Sequence, residues 1–126
     1  MKTANQNDRP EAVVQQQLDA YNARDVEAIL ATYAEEARQY EHPDQLLATG
    51  HAELRARFEV RFQEPNLHAH LLQRIVMGRF VVDHERVTRT FPEGPGTIEL
   101  LATYEVVEDR IANAWFLAGP KDLARS

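Results

Sequence analysis

Two residues near the middle of the chain have the types and spacing needed for proton transfer. His42 precedes Pro43, and Tyr40 lies two positions before His42. A histidine titrates near neutral pH and can take or shuttle a proton next to a carbonyl group, while a tyrosine hydroxyl can donate to a developing oxyanion. On a strand, residues two apart share one face. His42 and Tyr40 are therefore our catalytic candidates; the alternative is that both serve only local structure.

A second group of charged residues interrupts an otherwise apolar segment at residues 83–86, with the sequence Asp-His-Glu-Arg. If this segment is a strand, either Asp83 and Glu85 or His84 and Arg86 face the interior. A buried carboxylate would have a raised pKa and could act as a base. The alternative is an outward ladder of ion pairs. The pattern leaves the register open, and we keep His84 as a candidate for ligand contact.

A metal site is not expected. His68 and His70 would share one strand face, as metal-binding histidines can, but no carboxylate follows them at short spacing. The acidic residues 83–85 are offset from the pair in the hairpin that we predict. There are no cysteines, so thiolate catalysis is excluded. We therefore predict neither a metal nor another cofactor.

Composition narrows the possible partners. The chain has 126 residues and a formal net charge of -6, with no cluster of basic residues free of acids. Nucleic acid and anionic membrane surfaces are therefore not expected to bind. The polar start of the chain resembles no secretory signal, and no apolar run approaches the ~20 residues of a membrane span. We expect a cytoplasmic protein with a flexible tail at 1–9, one domain at 10–120 and a C-terminal tail at 121–126.

The first half of the chain predicts three short helices and one strand. Apolar residues recur at helical spacing in the first two helices, where Asp25 can cap the second, and again at residues 50–63. In the third helix, Glu53, Arg57 and Arg61 are predicted to form a solvated face. Residues 37–42 end at a proline and are predicted to be a strand. The positions that this spacing predicts to be buried on the three helices are Val14, Leu18, Tyr21, Val26, Ile29, Leu30, Tyr33, Leu54, Phe58 and Phe62.

The second half predicts an antiparallel meander. Segments at 67–77, 80–90, 97–107 and 111–118 are rich in β-branched and aromatic residues, with a loop at 91–96. Tyr104 and Phe116 are expected to line the interior, and Trp115 the opposite face. A sheet that is apolar on both faces needs a second cover, which another subunit would supply as a homodimer. The order of elements indicates an α+β fold with a concave interior.

Three motifs occur in this order. They are Tyr-Asn-Ala-Arg-Asp at 21–25, Thr-Gly-His-Ala-Glu-Leu at 49–54, and Ala-Thr-Tyr-Glu-Val at 102–106 with Ile111. Together they resemble the nuclear transport factor 2-like superfamily, in its SnoaL-like and ketosteroid-isomerase-like branch, over residues 10–118. The resemblance implies a cone-shaped, curved, mixed or antiparallel sheet wrapped around three helices, a cystatin-like α+β barrel. It also implies an enclosed cavity and pairing through the outer sheet face.

The same resemblance assigns functional positions. The isomerase base falls at His42, its helical tyrosine donor at Gln17 and its sheet aspartate donor near Ala102, and all three residues differ from the isomerase pattern. We therefore expect no authentic ketosteroid isomerase. We expect a protein that binds a small apolar molecule, with isomerase, cyclase or lyase chemistry on a carbonyl compound, or else a non-catalytic binding or dimeric interaction domain. The expected ligand contacts are Gln17, Tyr21, Phe58, His84, Ala102, Tyr104 and Phe116.

Overall fold

The computed structural model describes residues 9–124, which form three helices and six strands. In chain order these are α1 (Pro10–Ala23), α2 (Val26–Ala31), β1 (Tyr33–Glu41), β2 (Gln45–Thr49), α3 (Gly50–Arg61), β3 (His68–Met77), β4 (Phe80–Phe91), β5 (Gly94–Val107) and β6 (Arg110–Leu123). None of the described helices has the length and apolar character needed to cross a membrane.

The six strands form one curved, mixed sheet in the order β2-β1-β6-β5-β4-β3. Strand β1 pairs in parallel with β6, and every other neighbouring pair is antiparallel. The three helices pack against one face of this sheet. The predicted α+β class and the mixed curved sheet are therefore confirmed.

The core lies between the helices and the concave face of the sheet. Val14, Ile29, Leu54, Val81 and Ile111 have no exposed surface. Burying a side chain of this size stabilises the fold by about 1.5–3 kcal/mol relative to leaving it in water. The helical spacing of the apolar residues and the alternation in the strands therefore bring the three helices onto the sheet.

The helix boundaries differ partly from those expected. The Asp25 side chain accepts a hydrogen bond from the backbone N–H of Ala28 at 3.0 Å, which confirms the predicted cap of α2. Helix α2 nevertheless ends at Ala31, and Tyr33 begins β1, where it pairs with Ile111. Tertiary pairing with β6 therefore overrides the helical spacing that assigned Tyr33 to α2. Helix α3 ends at Arg61, two residues before the expected end.

Three further strand features were not expected. Strand β2 has only five residues, of which Ala48 is buried and Gln45 and Leu46 are exposed, and its sequence carries no alternating apolar pattern. The expected loop at 91–96 is a tight turn between β4 and β5, and Gly96 lies so close to β6 that a Cβ atom there would be 2.6 Å from the Asp122 carbonyl oxygen. Strand β6 runs to Leu123, beyond the domain end placed at 120. The expected tail at 1–9 lies outside the described residues except for Arg9.

Candidate functional site

A cavity of about 510 Å³ opens between the concave face of the sheet and helices α1 and α3. Apolar side chains form most of its wall, and a smaller set of polar and charged groups borders it. The apolar residues include Leu18, Phe58, Val60, Val87, Ile98, Leu100 and Phe116. The polar and charged residues are Gln17, Tyr21, Tyr33, Gln39, Glu41, Arg57, Arg61, Glu85, Arg89 and Tyr104.

Glu85 is the carboxylate of the inner part of this cavity. Its residue is 4% exposed, and its side chain makes no hydrogen bond with any of residues 9–124. Burial, followed by the neighbouring negative charge of Asp83, raises the pKa of Glu85 to about 7, against a smaller opposing effect of Arg74. Glu85 is therefore close to half-ionised at neutral pH and can both accept and release a proton.

Asp83 has a different role, because it is fully paired. Its carboxylate accepts two hydrogen bonds from Arg74, at 2.7 Å from Nε and 2.9 Å from Nη2. The same guanidinium donates from Nη1 to the Gln15 side-chain oxygen at 2.9 Å, which ties β3 and β4 to α1. This bidentate pair fixes a buried negative charge two residues from Glu85. The Asp83 charge therefore raises the pKa of Glu85, and Asp83 itself does not border the cavity.

Three tyrosines border the same cavity as Glu85, and their hydroxyl groups keep their protons. Burial is the largest cause of a raised pKa at Tyr21, Tyr33 and Tyr104, and the Glu85 charge raises all three pKa values further. The Tyr33 hydroxyl accepts a hydrogen bond from the Gln39 side-chain amide at 3.2 Å and retains its own proton for donation. The tyrosines can therefore act as hydrogen-bond donors near Glu85 but not as bases at neutral pH.

Helix α3 contributes two arginines to the cavity, which corrects the prediction that Arg57 and Arg61 lie on a solvated face. Both side chains are half-buried and border the cavity. Arg57 donates from Nε to the Gln39 side-chain oxygen at 3.1 Å, and Arg61 lies 3.3 Å from the Glu64 carboxylate. Long side chains cover apolar surface with their stems while the charged ends remain polar, so helical spacing alone did not reveal their direction.

His42 and Tyr40 do not border the cavity. His42 is exposed in the turn after β1, where its backbone N–H donates to the Phe116 carbonyl at 2.8 Å. Tyr40 stacks on Trp115 with ring centroids 5.7 Å apart, and the two residues are neighbours across β1 and β6. The inner positions of this strand belong to Gln39 and Glu41. We expected His42 and Tyr40 to face the interior, and the fold places neither of them at the cavity.

Strand β4 resolves the register that the sequence left open. Asp83 and Glu85 face the interior, whereas His84 lies on the outer face with its Nε2 2.8 Å from the Glu99 carboxylate. The expected contact of His84 with a ligand in the cavity is therefore corrected. The signal for this register was present, because the apolar residues Val87 and Phe91 have the same parity as Glu85.

The remaining expected contacts divide into two groups. Ala102 has no exposed surface and does not border the cavity, because it lies in the core beside Asp83 in the sheet register. The expected residues that do border the cavity are Gln17, Tyr21, Phe58, Tyr104 and Phe116. The sequence analysis gave Glu85 as one of two alternatives for its strand, and the polar and charged cavity residues that it missed or misplaced are Tyr33, Gln39, Glu41, Arg57, Arg61 and Arg89. Across residues 9–124, no group of three or more acidic or histidine side chains could hold a metal ion.

The comparisons with known proteins agree with this architecture. The sequence model of the SnoaL-like domain matches residues 14–114. The chain therefore belongs to the SnoaL-like family, which confirms the resemblance to the nuclear transport factor 2-like superfamily. A search of curated proteins finds no significant sequence match.

Solved structures show the same fold at low sequence identity. A cystatin-fold protein from Novosphingobium aromaticivorans has a TM-score of 0.79 and 21% identity, over 86% of this chain and 97% of that one. The epoxide hydrolase/cyclase-like enzyme SalBIII, of pyran ring formation in salinomycin, has a TM-score of 0.78 and 17% identity, over 87% and 90%. A proposed polyketide cyclase from Sinorhizobium meliloti has a TM-score of 0.72 and 21% identity, over 83% and 93%.

Proposed function

We propose that this protein is an isomerase or cyclase that acts by acid-base chemistry on a small, largely apolar carbonyl compound held in the cavity. Glu85 is the group that transfers the proton. The observation that carries the proposal is a nearly buried carboxylate with a pKa of about 7 that borders the cavity and has no hydrogen-bond partner among the described residues. Ionisable groups with strongly shifted pKa values in clefts are typical of catalytic sites.

The proposed step needs only groups that this chain supplies. The Glu85 carboxylate takes a proton from the carbon next to the substrate carbonyl, so that the C–H bond breaks and an O–H bond forms on Glu85. The electron pair moves onto the carbonyl oxygen, and a tyrosine hydroxyl, Tyr104 or Tyr33, donates to that oxygen. In a β,γ-unsaturated carbonyl compound, the protonated Glu85 then returns the proton to the γ-carbon of the resulting dienolate, which moves the carbon-carbon double bond into conjugation with the carbonyl group. Ring closure follows if the enolate carbon instead attacks a second carbonyl carbon of the same molecule, because the C=O π bond there opens and its oxygen takes the proton back from Glu85.

The relatives support this reaction class without identifying a substrate. SalBIII is named an epoxide hydrolase/cyclase-like enzyme, and the Sinorhizobium meliloti protein a proposed polyketide cyclase. Because the same fold hosts unrelated functions, their substrates are not transferred to this chain. The apolar wall of the cavity favours an apolar ligand body.

A second candidate is a binding protein without turnover. The observation in its favour is that Gln17, His42 and Ala102 occupy the three positions where the isomerase resemblance places the catalytic groups. In that case Glu85 would hydrogen-bond a bound ligand and no proton would be transferred. The two candidates differ in proton exchange, which binding alone does not accelerate.

The test is hydrogen-deuterium exchange of an apolar ketone. We would incubate α-tetralone with the protein in D₂O at pH 7 and follow loss of the proton signal next to the carbonyl by NMR. We expect acceleration over buffer that Glu85→Gln abolishes and Glu99→Gln preserves, since Glu99 lies on the outer face of the neighbouring strand. Acceleration that survives Glu85→Gln would overturn the role of Glu85. Ketone binding without acceleration would favour the binding protein.

We also propose that a second copy of the chain covers the outer face of the sheet. Leu101 and Leu117 are neighbours across β5 and β6, and they are 40% and 45% exposed. Together with Pro120 they border a shallow depression on that face. Adjacent exposed leucines on a sheet favour association with another surface, and a twofold contact requires the patch to complement itself.

A further inference from the structure

Arg57 differs from the other half-buried arginines in the described part of the chain. Those others each have a carboxylate oxygen within 4.0 Å. For residues 9–124, no carboxylate lies within that distance of Arg57, although the exposed Glu41 borders the same cavity. The paired arginines are Arg55, Arg61, Arg74 and Arg89.

The surroundings of Arg57 orient its guanidinium, but no carboxylate among the described residues pairs with its positive charge. Its Nε donates to Gln39 at 3.1 Å, and the 2% exposed Gln39 donates in turn to the Tyr33 hydroxyl at 3.2 Å. The two terminal nitrogens of Arg57 make no hydrogen bond with any described residue. Burying a cation without a counter-ion is costly, and burial, with the nearby Arg61, lowers the pKa of Arg57. A fixed guanidinium with two free nitrogens matches the two oxygens of a carboxylate.

The geometry points to an amphipathic anion as the ligand of this cavity, with its acidic group bound by the free nitrogens of Arg57 and its apolar body directed toward Glu85. This inference rests on the proposed function in placing the substrate in the same cavity, and it adds the substrate class. The substrate is then a keto acid or a similar oxyanion-bearing carbonyl compound. Its apolar part lies against side chains such as Phe58, Leu100 and Phe116.

Two fluorescent probes that differ in one anionic group can show whether Arg57 binds a negatively charged ligand. Anilinonaphthalene sulfonate and phenylnaphthylamine have the same aromatic body, and only the first bears an anionic group. We expect wild-type protein to bind the sulfonate at least about tenfold more tightly, as a charge-assisted hydrogen bond to one cation predicts. Arg57→Gln should reduce this ratio to about one and leave the affinity for phenylnaphthylamine unchanged, which also shows that the cavity has formed.

Arg55→Gln is the matched control, because Arg55 lies on the same helix and pairs with Glu27 outside the cavity. It should retain the wild-type ratio. Equal binding of the two probes to wild type, or the same loss in Arg55→Gln as in Arg57→Gln, would overturn the inference. If Arg57→Gln loses both probes, Arg57→Lys decides: a retained preference for the sulfonate supports the inference, and equal binding refutes it.

The two proposals fail separately. Neither probe undergoes proton transfer, so their binding reports on Arg57 whether or not the protein catalyses exchange. If the protein prefers the sulfonate but does not accelerate exchange of α-tetralone, the anion site is supported and the proposed proton transfer is refuted. If the protein accelerates exchange without preferring the sulfonate, the proposed proton transfer is supported and the anion site is refuted.

Discussion

Glu85 should make the stability of this protein fall as the pH rises from acidic to neutral. Its pKa is about 7 in the folded protein, compared with 4.5 for the unperturbed group. Between these two values the folded state holds a proton that the unfolded state has released. The free energy of unfolding therefore decreases with rising pH in this window and is constant again above it. The cause is burial first and the Asp83 charge second.

The size of the effect follows from the two pKa values. The difference between about 7 and 4.5 is 2.5, and each pKa unit corresponds to about 1.4 kcal/mol. The full contribution of Glu85 is therefore about 3 kcal/mol, and it develops mostly between pH 4.5 and 7. This is a large fraction of the stability of a small domain. Glu85→Gln keeps a neutral side chain of the same shape at every pH and should remove this dependence.

The assay is urea unfolding of wild type and Glu85→Gln, followed by circular dichroism from about pH 4 to about pH 8. Other titrating groups are common to both proteins, so the difference between the two curves isolates Glu85. We expect the mutant to gain about 3 kcal/mol relative to wild type across this range. Glu59→Gln, an exposed glutamate on α3, should run parallel to wild type. Parallel curves for wild type and Glu85→Gln would refute the raised pKa and the argument built on it.

Three further substitutions test the packing, the charges and the proposed dimer contact. Asp83→Asn should lower the pKa of Glu85 by removing the neighbouring negative charge, as an NMR titration of the carboxyl carbon would show. The same change leaves Arg74 without a carboxylate partner, and urea unfolding should detect a loss of about 1–3 kcal/mol. Leu54→Ala, at a position with no exposed surface, should cost about 2–5 kcal/mol in the same measurement. Leu117→Lys should convert a dimer to a monomer in light scattering after gel filtration; an unchanged mass would place the contact elsewhere.

The fold was largely predictable because its main elements carry regular patterns. Helices α1 and α3 repeat apolar residues at helical spacing, and strands β3 to β6 are long and rich in β-branched residues. Strand β2 was missed because its five residues, Gln45–Thr49, are too few to show an alternating pattern. The start of β1 was missed because Tyr33 satisfies helical spacing locally, while its pairing with Ile111 comes from β6, far along the chain.

The site was less predictable, because it depends on the direction of individual side chains. A shift of one residue in β4 exchanges Glu85 for His84 on the inner face. Likewise, β1 directs Gln39 and Glu41 inward and leaves Tyr40 stacked on Trp115. Arg57 precedes the buried Phe58 on α3, and helical spacing alone does not show that its long side chain turns toward the cavity. Such directions are set by contacts between distant segments.

The most direct test of the account is the pKa of Glu85 in the folded protein. A titration of ¹³C-labelled glutamate carboxyl carbons by NMR, with the signal assigned by its absence from Glu85→Gln, would measure it. We predict a midpoint near 7. A midpoint near the ordinary value of 4.5 would show a solvated carboxylate and contradict the proposed proton transfer.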